Sequence, residues 1–348
     1  MIKERLLYVD IAKGLCILLV ITGHILQYNF SGKGSDMAFN FIYSFHMPVF
    51  MLLSGYVAAL SQNKIDLKGS ICFIRKKFYS LAVPFFVWGL FVTPFVIKRV
   101  DLKNFYSIAK ELLTNPGSGA WFIIVLFCIQ LYFLLFKVIA QCLSMKRTYI
   151  AETISCLIVL CILSVVTMEV NHMAENLSGG VKQYISIRYF ICFMVGFFYQ
   201  RNLQGFIFDK RTFIVALVLF SLLVKYFIFC KSPLYLQLSI SICASLILLN
   251  ISKTIEVTSC LNCVKTLSWL ARIGKGSLII YLTHFSIITV VPTAVFDTDN
   301  VKPIPLFLLC FGMSISVAIL CIKWGEFIKN YPAIDFLMYG HKNKQNLK

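Results

Sequence analysis

The sequence contains few charged residues. Of its 348 residues, 14% are charged and 59% are hydrophobic, whereas a soluble globular domain has about 25% charged and about 45–50% apolar residues. The sequence also lacks the alternation of apolar and polar residues that is typical of half-buried strands. Its apolar residues instead form runs of about 20 residues, the length of a membrane-spanning helix. This pattern excludes an ordinary soluble domain and predicts an all-α, polytopic membrane protein.

Several signatures of other protein classes are also missing. The net charge is +18, but outside the predicted loops no basic run is interleaved with aromatic residues, so we expect no nucleic-acid partner. The only CxxC pair, Cys260 and Cys263, cannot complete a four-ligand zinc site, and we expect no metal. The first apolar run is too long for a signal peptide and is followed by no A-x-A-like cleavage site. No internal repeat is visible, which weighs against a transporter built from inverted repeats.

The apolar runs predict about ten membrane-spanning helices and no domain boundary, so we expect a single domain over residues 1–348. Lys and Arg are concentrated in alternate loops, on the side that also holds both termini. The positive-inside rule therefore places both termini in the cytoplasm, and we expect a multi-pass protein of the cytoplasmic (inner) cell membrane. The predicted spans are residues 6–28, 38–60, 78–97, 120–140, 149–168, 185–200, 211–230, 234–250, 277–295 and 304–325.

Two histidines, His24 and His46, lie in the first two apolar stretches, towards the loop that joins them. Titratable groups are rare inside membranes and usually take part in chemistry or transport, and imidazole exchanges protons near neutral pH. On an ideal helix Asp10 and His24 are about 21 Å apart along the axis, so they cannot bond directly. The plainer alternative is that His24 is a hydrogen-bonded core histidine.

The other polar features of this hairpin have structural alternatives. Asp10 and Lys13 lie near the predicted cytoplasmic surface, where they either mark the mouth of a path through the membrane or simply extend to water. Pro48 lacks a backbone N–H, so it kinks the second helix or starts it afresh.

In its order of residues, the chain resembles the membrane acyltransferase-3 family, with the closest likeness to the fucose 4-O-acetylase-like branch. The resemblance is most specific in the first hairpin and extends over nearly the whole chain. The matching residues are Arg5, Asp10, Lys13-Gly14, His24, Phe45-His46-Met47-Pro48, Phe50 and Ser54-Gly55-Tyr56 in the hairpin, then Trp121-Phe122, Arg188, Gly196, Ile273-Gly274, Ser277-Leu278, Ile280-Tyr281-Leu282 and His284.

The resemblance implies transfer of an acyl group, commonly acetyl from acetyl-CoA, to a hydroxyl of an extracytoplasmic glycan or glycolipid. His24 would then deprotonate the acceptor hydroxyl or carry the acyl group covalently, and His46 would orient the substrate or stabilise the tetrahedral oxygen. We expect the anionic CoA nucleotide to bind at the cytoplasmic end, at Arg5, Asp10, Lys13, Arg75 and Lys76. The candidate residues of the substrate cavity are Trp121, Arg188, Ser277, Tyr281 and His284.

Other interpretations stay open at this point. Within the family, the chain could transfer succinyl or serve export of a surface polysaccharide. Outside it, His24 and His46 could form the proton relay of a secondary transporter. Trp121 could be an interfacial anchor, and Ser277 and Tyr281 could simply bond to backbone or to neighbouring helices.

Overall fold

The chain is built almost entirely of helices. The computed structural model describes residues 6–60, 66–97, 100–115, 120–143, 148–173, 184–228, 231–261, 265–290 and 296–341. The α-helices are α1 (Leu7–Asn29), α2 (Lys33–Tyr43), α3 (His46–Ala59), α4 (Leu67–Lys77), α5 (Val83–Val87), α6 (Phe105–Thr114), α7 (Trp121–Cys142), α8 (Thr148–Met173), α9 (Ile187–Asn202), α10 (Gln204–Ile207), α11 (Lys210–Leu223), α12 (Leu234–Leu261), α13 (Lys265–Lys275), α14 (Ser277–Ile288), α15 (Pro303–Ile328) and α16 (Pro332–Tyr339). Phe78–Ala82 and Trp88–Ile97 are π-helical, and Leu102–Asn104 and Val224–Tyr226 are 3-10 helices.

Seven described helical segments are long and apolar enough to cross a membrane. Three other predicted spans contain shorter helices, since α9 has 16 residues, α11 has 14 and α14 has 12. The prediction of an all-α membrane protein is confirmed, whereas the count of ten spans and the side of the termini stay predictions. The seven segments are Leu7–Asn29, Lys33–Ala59, Leu67–Phe95, Trp121–Cys142, Thr148–Val170, Leu234–Thr258 and Pro303–Ile328.

The second of these segments is divided into two helices. α2 ends at Tyr43, Ser44 and Phe45 form a turn, and α3 begins at His46. Pro48 lies in the first turn of α3, where a helix needs no backbone N–H from it. The proline therefore restarts the helix, and His46 becomes a residue of the helix start.

The packing divides the chain into two compact units. The first comprises Met1–Ser61 and Cys192–Glu326, and the second comprises Gln62–Ile191 and Phe327–Lys348. The first unit contains α1–α3, α10–α14 and most of α9 and α15, and the second contains α4–α8 and α16. The single domain predicted over residues 1–348 stays a prediction.

Helix α1 forms the centre of the first unit. It packs against α2, α3, α12, α13 and α14. Of the most apolar stretch of α1, 78% is buried inside the protein, whereas 28% of the corresponding stretch of α15 is buried. An apolar helix that is enclosed on most sides is a core element, whereas the exposed apolar surface of α15 suits contact with lipid. Asp10, Thr22 and Asn29 on α1 are accordingly buried, whereas Gln27 is exposed.

Glycines allow α1 to lie directly against α13. A Cβ on Gly274 would overlap the backbone oxygen of Asp10, and a Cβ on Gly14 would overlap the backbone oxygen of Leu270. Small residues at such contacts let helix backbones approach closely in membrane proteins. The two glycines therefore fix the position of α1 along the axis of α13.

The same arrangement recurs between α3 and α9. A Cβ on Gly55 would overlap the backbone oxygen of Phe193, and a Cβ on Gly196 would overlap that of Leu52. Gly55 and Gly196 thus hold α3, which carries His46, at a defined position.

A short parallel strand pair ties down the chain beyond the C-terminal end of α1. β1 (Phe30–Ser31) pairs with β2 (Phe296–Asp297). Thr298 donates to the Ser31 carbonyl from its backbone N (2.8 Å) and its Oγ1 (2.6 Å), and its Oγ1 accepts from the Ser35 backbone N at 3.0 Å. Gly32, which lies in sequence between Ser31 and Ser35, has a φ of 100°, a conformation that favours glycine. This tie orients the end of α1 that carries His24.

The second unit is centred on α7, which packs against α4, α5, α8 and the first π-helical segment. Trp88 donates from Nε1 to the Met338 carbonyl at 3.0 Å, and its ring lies 6.4 Å from that of Tyr339. Helix α16 ends at Gly340, which adopts the left-handed conformation common at helix ends. These contacts hold the C-terminal helix against α5 and the segment after it.

Candidate active site

His24 lies near the C-terminal end of α1. The helix is continuous from Leu7 to Asn29, so Asp10 and His24 are about 21 Å apart along one axis. A direct bond between them is ruled out, as the spacing indicates. The chemistry of His24 therefore depends on nearby groups at this end, namely Gln27 on α1 itself and the residues that other helices bring.

Four aromatic rings surround the partly exposed ring of His24. Gly23 makes room for one of them, because a Cβ there would lie 2.9 Å from a ring carbon of Tyr43. Tyr43 also donates from its hydroxyl to Gln27 Oε1 at 3.1 Å, which holds its ring against α1. The centroid distances from His24 are 5.2 Å to His284, 6.0 Å to Tyr28, 6.3 Å to Phe285 and 6.4 Å to Tyr43.

His284 is brought to His24 by α14. It is 3% exposed, and its Nδ1 lies 2.9 Å from the Ile280 carbonyl oxygen. A carbonyl can only accept, so Nδ1 carries a proton and Nε2 of the neutral ring carries a lone pair. Tyr281 lies one turn earlier on α14, with its ring 5.9 Å from that of His284. Ser277 begins the same helix, about 10 Å along its axis from His284.

His46 has the same local arrangement at the start of α3. It is 2% exposed, and its Nδ1 donates to the Ile42 carbonyl at 2.9 Å. The neutral ring therefore also carries its lone pair at Nε2. The Tyr43 ring lies 4.5 Å from that of His46. Because Tyr43 contacts both His24 and His46, we call His24, His46, His284 and Tyr43 the histidine cluster.

Two imidazole nitrogens in the histidine cluster are enclosed without a hydrogen-bond partner among the described residues: Nδ1 of His24 and Nε2 of His284. Buried polar atoms are nearly always paired in folded proteins, and exceptions concentrate where a ligand or a reaction satisfies them. Within the described ranges, no three His, Cys, Asp or Glu side chains converge as metal ligands. An imidazole nitrogen without a hydrogen-bond partner can take or give a proton, so the two unpartnered nitrogens suit the histidine cluster to proton transfer.

The N-terminal end of α1 holds a different set of residues, which we call the Tyr8 cluster: Tyr8, Tyr56, Lys253 and Glu256. The hydroxyls of Tyr8 and Tyr56 are 2.9 Å apart. Glu256 accepts from the Tyr8 backbone N at 3.2 Å and from Lys253 Nζ at 2.5 Å. The Lys253 ammonium also lies 4.9 Å from the Tyr8 ring centroid. Each of these side chains is thus bonded to another member of the cluster.

The predicted donor-binding residues are divided between the two units. Asp10 is 4% exposed and Lys13 is partly exposed, both in the first unit. Arg75 and Lys76 are exposed in the last turn of α4, in the second unit. Arg5 lies outside the described residues. Contact between these residues and a donor stays a prediction.

Trp121 and Arg188, both predicted for the substrate cavity, come together in the second unit. Tyr189 joins them, since the Arg188 guanidinium carbon lies 4.7 Å from the Tyr189 ring centroid and the Trp121 ring lies 5.6 Å from it. We call these three residues the Trp121 patch. Sequence reasoning missed Tyr189, although its position beside Arg188 could have drawn attention to it.

Sequence reasoning also missed Tyr43 and the partners in the Tyr8 cluster. Tyr43 precedes His46 by three residues, a spacing that also brings side chains together on a continuous helix, so the sequence carried a local signal for this contact. Tyr8 and Glu256 are 248 positions apart in sequence. No local pattern signals such a contact.

A family model described as an acyltransferase domain, Acyl_transf_3, matches residues 6–323. The match therefore extends over parts of both compact units and includes every residue of the histidine cluster.

Two curated relatives, each named nodulation protein NolL, match shorter parts of the chain. The one from Mesorhizobium japonicum is 33% identical over 127 residues, covering 35% of this chain and 33% of the relative. The one from Sinorhizobium fredii is 31% identical over 109 residues, covering 30% and 28%. The chain thus matches about a third of each relative's length. No solved structure matches the chain.

Proposed function

Since this chain belongs to the acyltransferase-3 family, we propose that it transfers an acyl group, acetyl in the first instance, from cytosolic acyl-CoA to a hydroxyl of an extracytoplasmic glycan or glycolipid. The proposal includes a topology of ten spans in the inner cell membrane, with both termini in the cytoplasm. It also includes the likeness to the fucose 4-O-acetylase-like branch. The observation that supports it best is the convergence of His24, His46 and His284 at one end of an enclosed helix.

In the proposed reaction, His24 acts as the general base. Its Nε2 takes the proton of the acceptor hydroxyl as that oxygen attacks the thioester carbonyl of acyl-CoA. The tetrahedral intermediate collapses, the carbon–sulfur bond breaks, and the proton passes from His24 to the departing thiolate. The products are the acyl ester and free CoA, and His24 returns to its starting state.

His46 is better suited to orient the acceptor than to stabilise the tetrahedral oxygen. With Nδ1 donating to the Ile42 carbonyl, the neutral ring has no second N–H for an oxyanion. Its Nε2 lone pair can instead accept a hydrogen bond from an acceptor hydroxyl. We therefore assign His46 the positioning role among the two that the family resemblance implies.

The donor is proposed to bind through basic side chains. Arg75 and Lys76, in the second unit, are exposed and offer positive charge to the CoA phosphates. Contact of Arg5 and Lys13 with the donor stays a prediction from the sequence. Asp10 is enclosed, and its carboxylate would repel phosphate. We therefore propose that Asp10 supports the surrounding helices and does not contact the nucleotide.

We propose a carbohydrate-binding role for the Trp121 patch within the second unit and, separately, for Ser277 and Tyr281 within the first. Aromatic faces suit the apolar faces of sugar rings, and a guanidinium offers several donors to hydroxyls. The contacts of Arg188 with Tyr189 argue for this patch over a lone interfacial tryptophan.

One observation favours a second candidate, a proton-coupled secondary transporter. The second apolar segment is interrupted at Ser44 and Phe45, and interrupted helices line the substrate sites of many transporters. Transfer of succinyl, or a role in polysaccharide export, also fits the family. Each alternative predicts a different product in the assay below.

The test uses the purified chain in liposomes with labelled acetyl-CoA and a glycan acceptor. We expect labelled acetyl on the acceptor and a loss of about 100-fold or more in His24→Ala. His341→Ala is the matched control, since His341 is exposed, pairs with Asp335 within the second unit and is not a member of the histidine cluster. Transfer that survives in His24→Ala would contradict the mechanism. Solute uptake without release of CoA would favour the transporter, and transfer only from succinyl-CoA would change the acyl group.

A further inference from the structure

The two unpartnered nitrogens of the histidine cluster belong to neighbouring rings. The centroids of His24 and His284 are 5.2 Å apart, with the rings inclined at 39°. His24 Nδ1 and His284 Nε2 are both enclosed and unbonded within the described part of the chain. A donor and an acceptor facing one another would satisfy both atoms, whereas two donors or two acceptors would satisfy neither.

The Ile280 carbonyl decides which of the two nitrogens is the acceptor. Since His284 Nδ1 donates to that carbonyl at 2.9 Å, the neutral His284 ring carries its lone pair at Nε2. The complementary state of His24 has its proton at Nδ1. That tautomer leaves the lone pair of His24 at Nε2, where a general base takes its proton, while Gln27 also bonds the His24 ring.

We propose that His284 is a positioning residue that holds His24 in the tautomer with the proton on Nδ1, through a chain that runs from the Ile280 carbonyl to His284 and then to His24. A small rotation of the His24 ring, or one bridging water, joins the two nitrogens. The inference rests on the proposed role of His24 as the base, and it changes the assignment of His284 from substrate contact to support of the base.

His46 is not suited to this part. It has the same bond to a main-chain carbonyl, but the ring packed against it is that of Tyr43, at 4.5 Å. His284 packs directly against His24. The geometry therefore separates the two remaining histidines by role, with His46 facing the acceptor and His284 supporting the base.

The test reads the His24 tautomer directly, in the full-length protein without substrate. The chain has five histidines, so ¹⁵N-labelled histidine gives few ring signals, and His24→Gln identifies those of His24. We expect the proton of wild-type His24 on Nδ1. In His284→Phe, which removes the acceptor but keeps a ring, we expect a shift towards the Nε2-protonated form. A wild-type proton on Nε2, or an unchanged tautomer in His284→Phe, would overturn the inference.

A matched pair of variants separates support of the base from packing. The glutamine amide reaches about as far as Nε2 of histidine, whereas the asparagine amide reaches only to Nδ1. We expect His284→Gln to retain the wild-type tautomer and most of kcat, and His284→Asn to lower kcat about 10- to 100-fold with little change in KM. Equal losses in the two variants would overturn the inference.

The tautomer readout also distinguishes this inference from the proposed function. The NMR measurement requires no acyl transfer, so it stands even if the reaction is of another kind. If His24 has the expected tautomer but no acyl transfer is measured, the proposed function is contradicted and the inference about His284 is not.

Discussion

The two ends of helix α1 differ in how their polar side chains are partnered. At the N-terminal end, the hydroxyls of Tyr8 and Tyr56 bond to one another, and Glu256 accepts from the Tyr8 backbone and from Lys253. At the C-terminal end, His24 and His284 each present an enclosed nitrogen that no described group satisfies. Both ends belong to one continuous helix.

This difference indicates that the N-terminal end of α1 serves stability and that the C-terminal end serves chemistry. A hydrogen bond that is made contributes to stability, whereas an enclosed atom left unbonded costs about 1–3 kcal/mol. The Tyr8 cluster therefore stabilises the position of α1. The histidine cluster holds two enclosed ring nitrogens that no described group satisfies, and we propose that these nitrogens pair with one another and so serve the reaction. Changes at the two ends should accordingly affect different measurements.

The first and largest of these expected effects is a loss of transfer rate in His46→Phe. This change removes the nitrogen proposed to orient the acceptor and keeps a ring of similar size. We expect a loss of transfer rate of about 100-fold, the scale of a misplaced substrate. His46→Gln, whose amide can replace Nε2, should retain more activity. The rates are measured on detergent-purified protein with matched thermal stability. A His46→Phe variant with wild-type rates would remove His46 from the site.

A second prediction concerns stability at the N-terminal end. Gly274→Ala places a methyl group on the Asp10 backbone oxygen, and such overpacking costs about 1–3 kcal/mol. We expect a lower unfolding temperature and an unchanged transfer rate per folded molecule. Gly312→Ala is the control, since no described atom lies within 4 Å of its Cβ and α15 continues through it. Equal unfolding temperatures for the two variants would contradict the close packing of α1 and α13.

The smallest effect is expected from Tyr8→Phe, which removes one hydroxyl of the buried pair. The loss should be about 0.5–1.5 kcal/mol in the free energy of unfolding. Tyr56→Phe should act similarly, and the double variant should lose less than the sum of the two, because both single changes break the same bond. Additive losses would show that the hydroxyls do not depend on one another.

Much of the fold could be predicted from local sequence. Runs of about 20 apolar residues indicate most of the membrane-spanning helices, and Pro48 marks the point at which the second one restarts. The short helices α9, α11 and α14 were also anticipated as apolar stretches. Their lengths were not, since the ends of helices depend on tertiary contacts as well as on hydrophobicity.

The site could be predicted only in part. His24, His46 and His284 stand out as imidazoles in apolar surroundings. The local sequence does not show how close together these side chains lie in the folded protein. His24 and His284 are far apart in sequence and meet because α14 packs against α1. The glycine contacts that set the position of α1 are likewise a property of the assembled helices.

The most direct test of the account compares His24→Ala and Tyr56→Phe in the same liposome preparation. The measured quantity is labelled acetyl transferred per folded molecule, with the folded fraction determined by thermal unfolding. The account predicts a rate at least about 100-fold lower for His24→Ala and a near wild-type rate for Tyr56→Phe. Similar rates for the two variants, or a greater loss in Tyr56→Phe, would contradict the assignment of chemistry to the His24 end of α1.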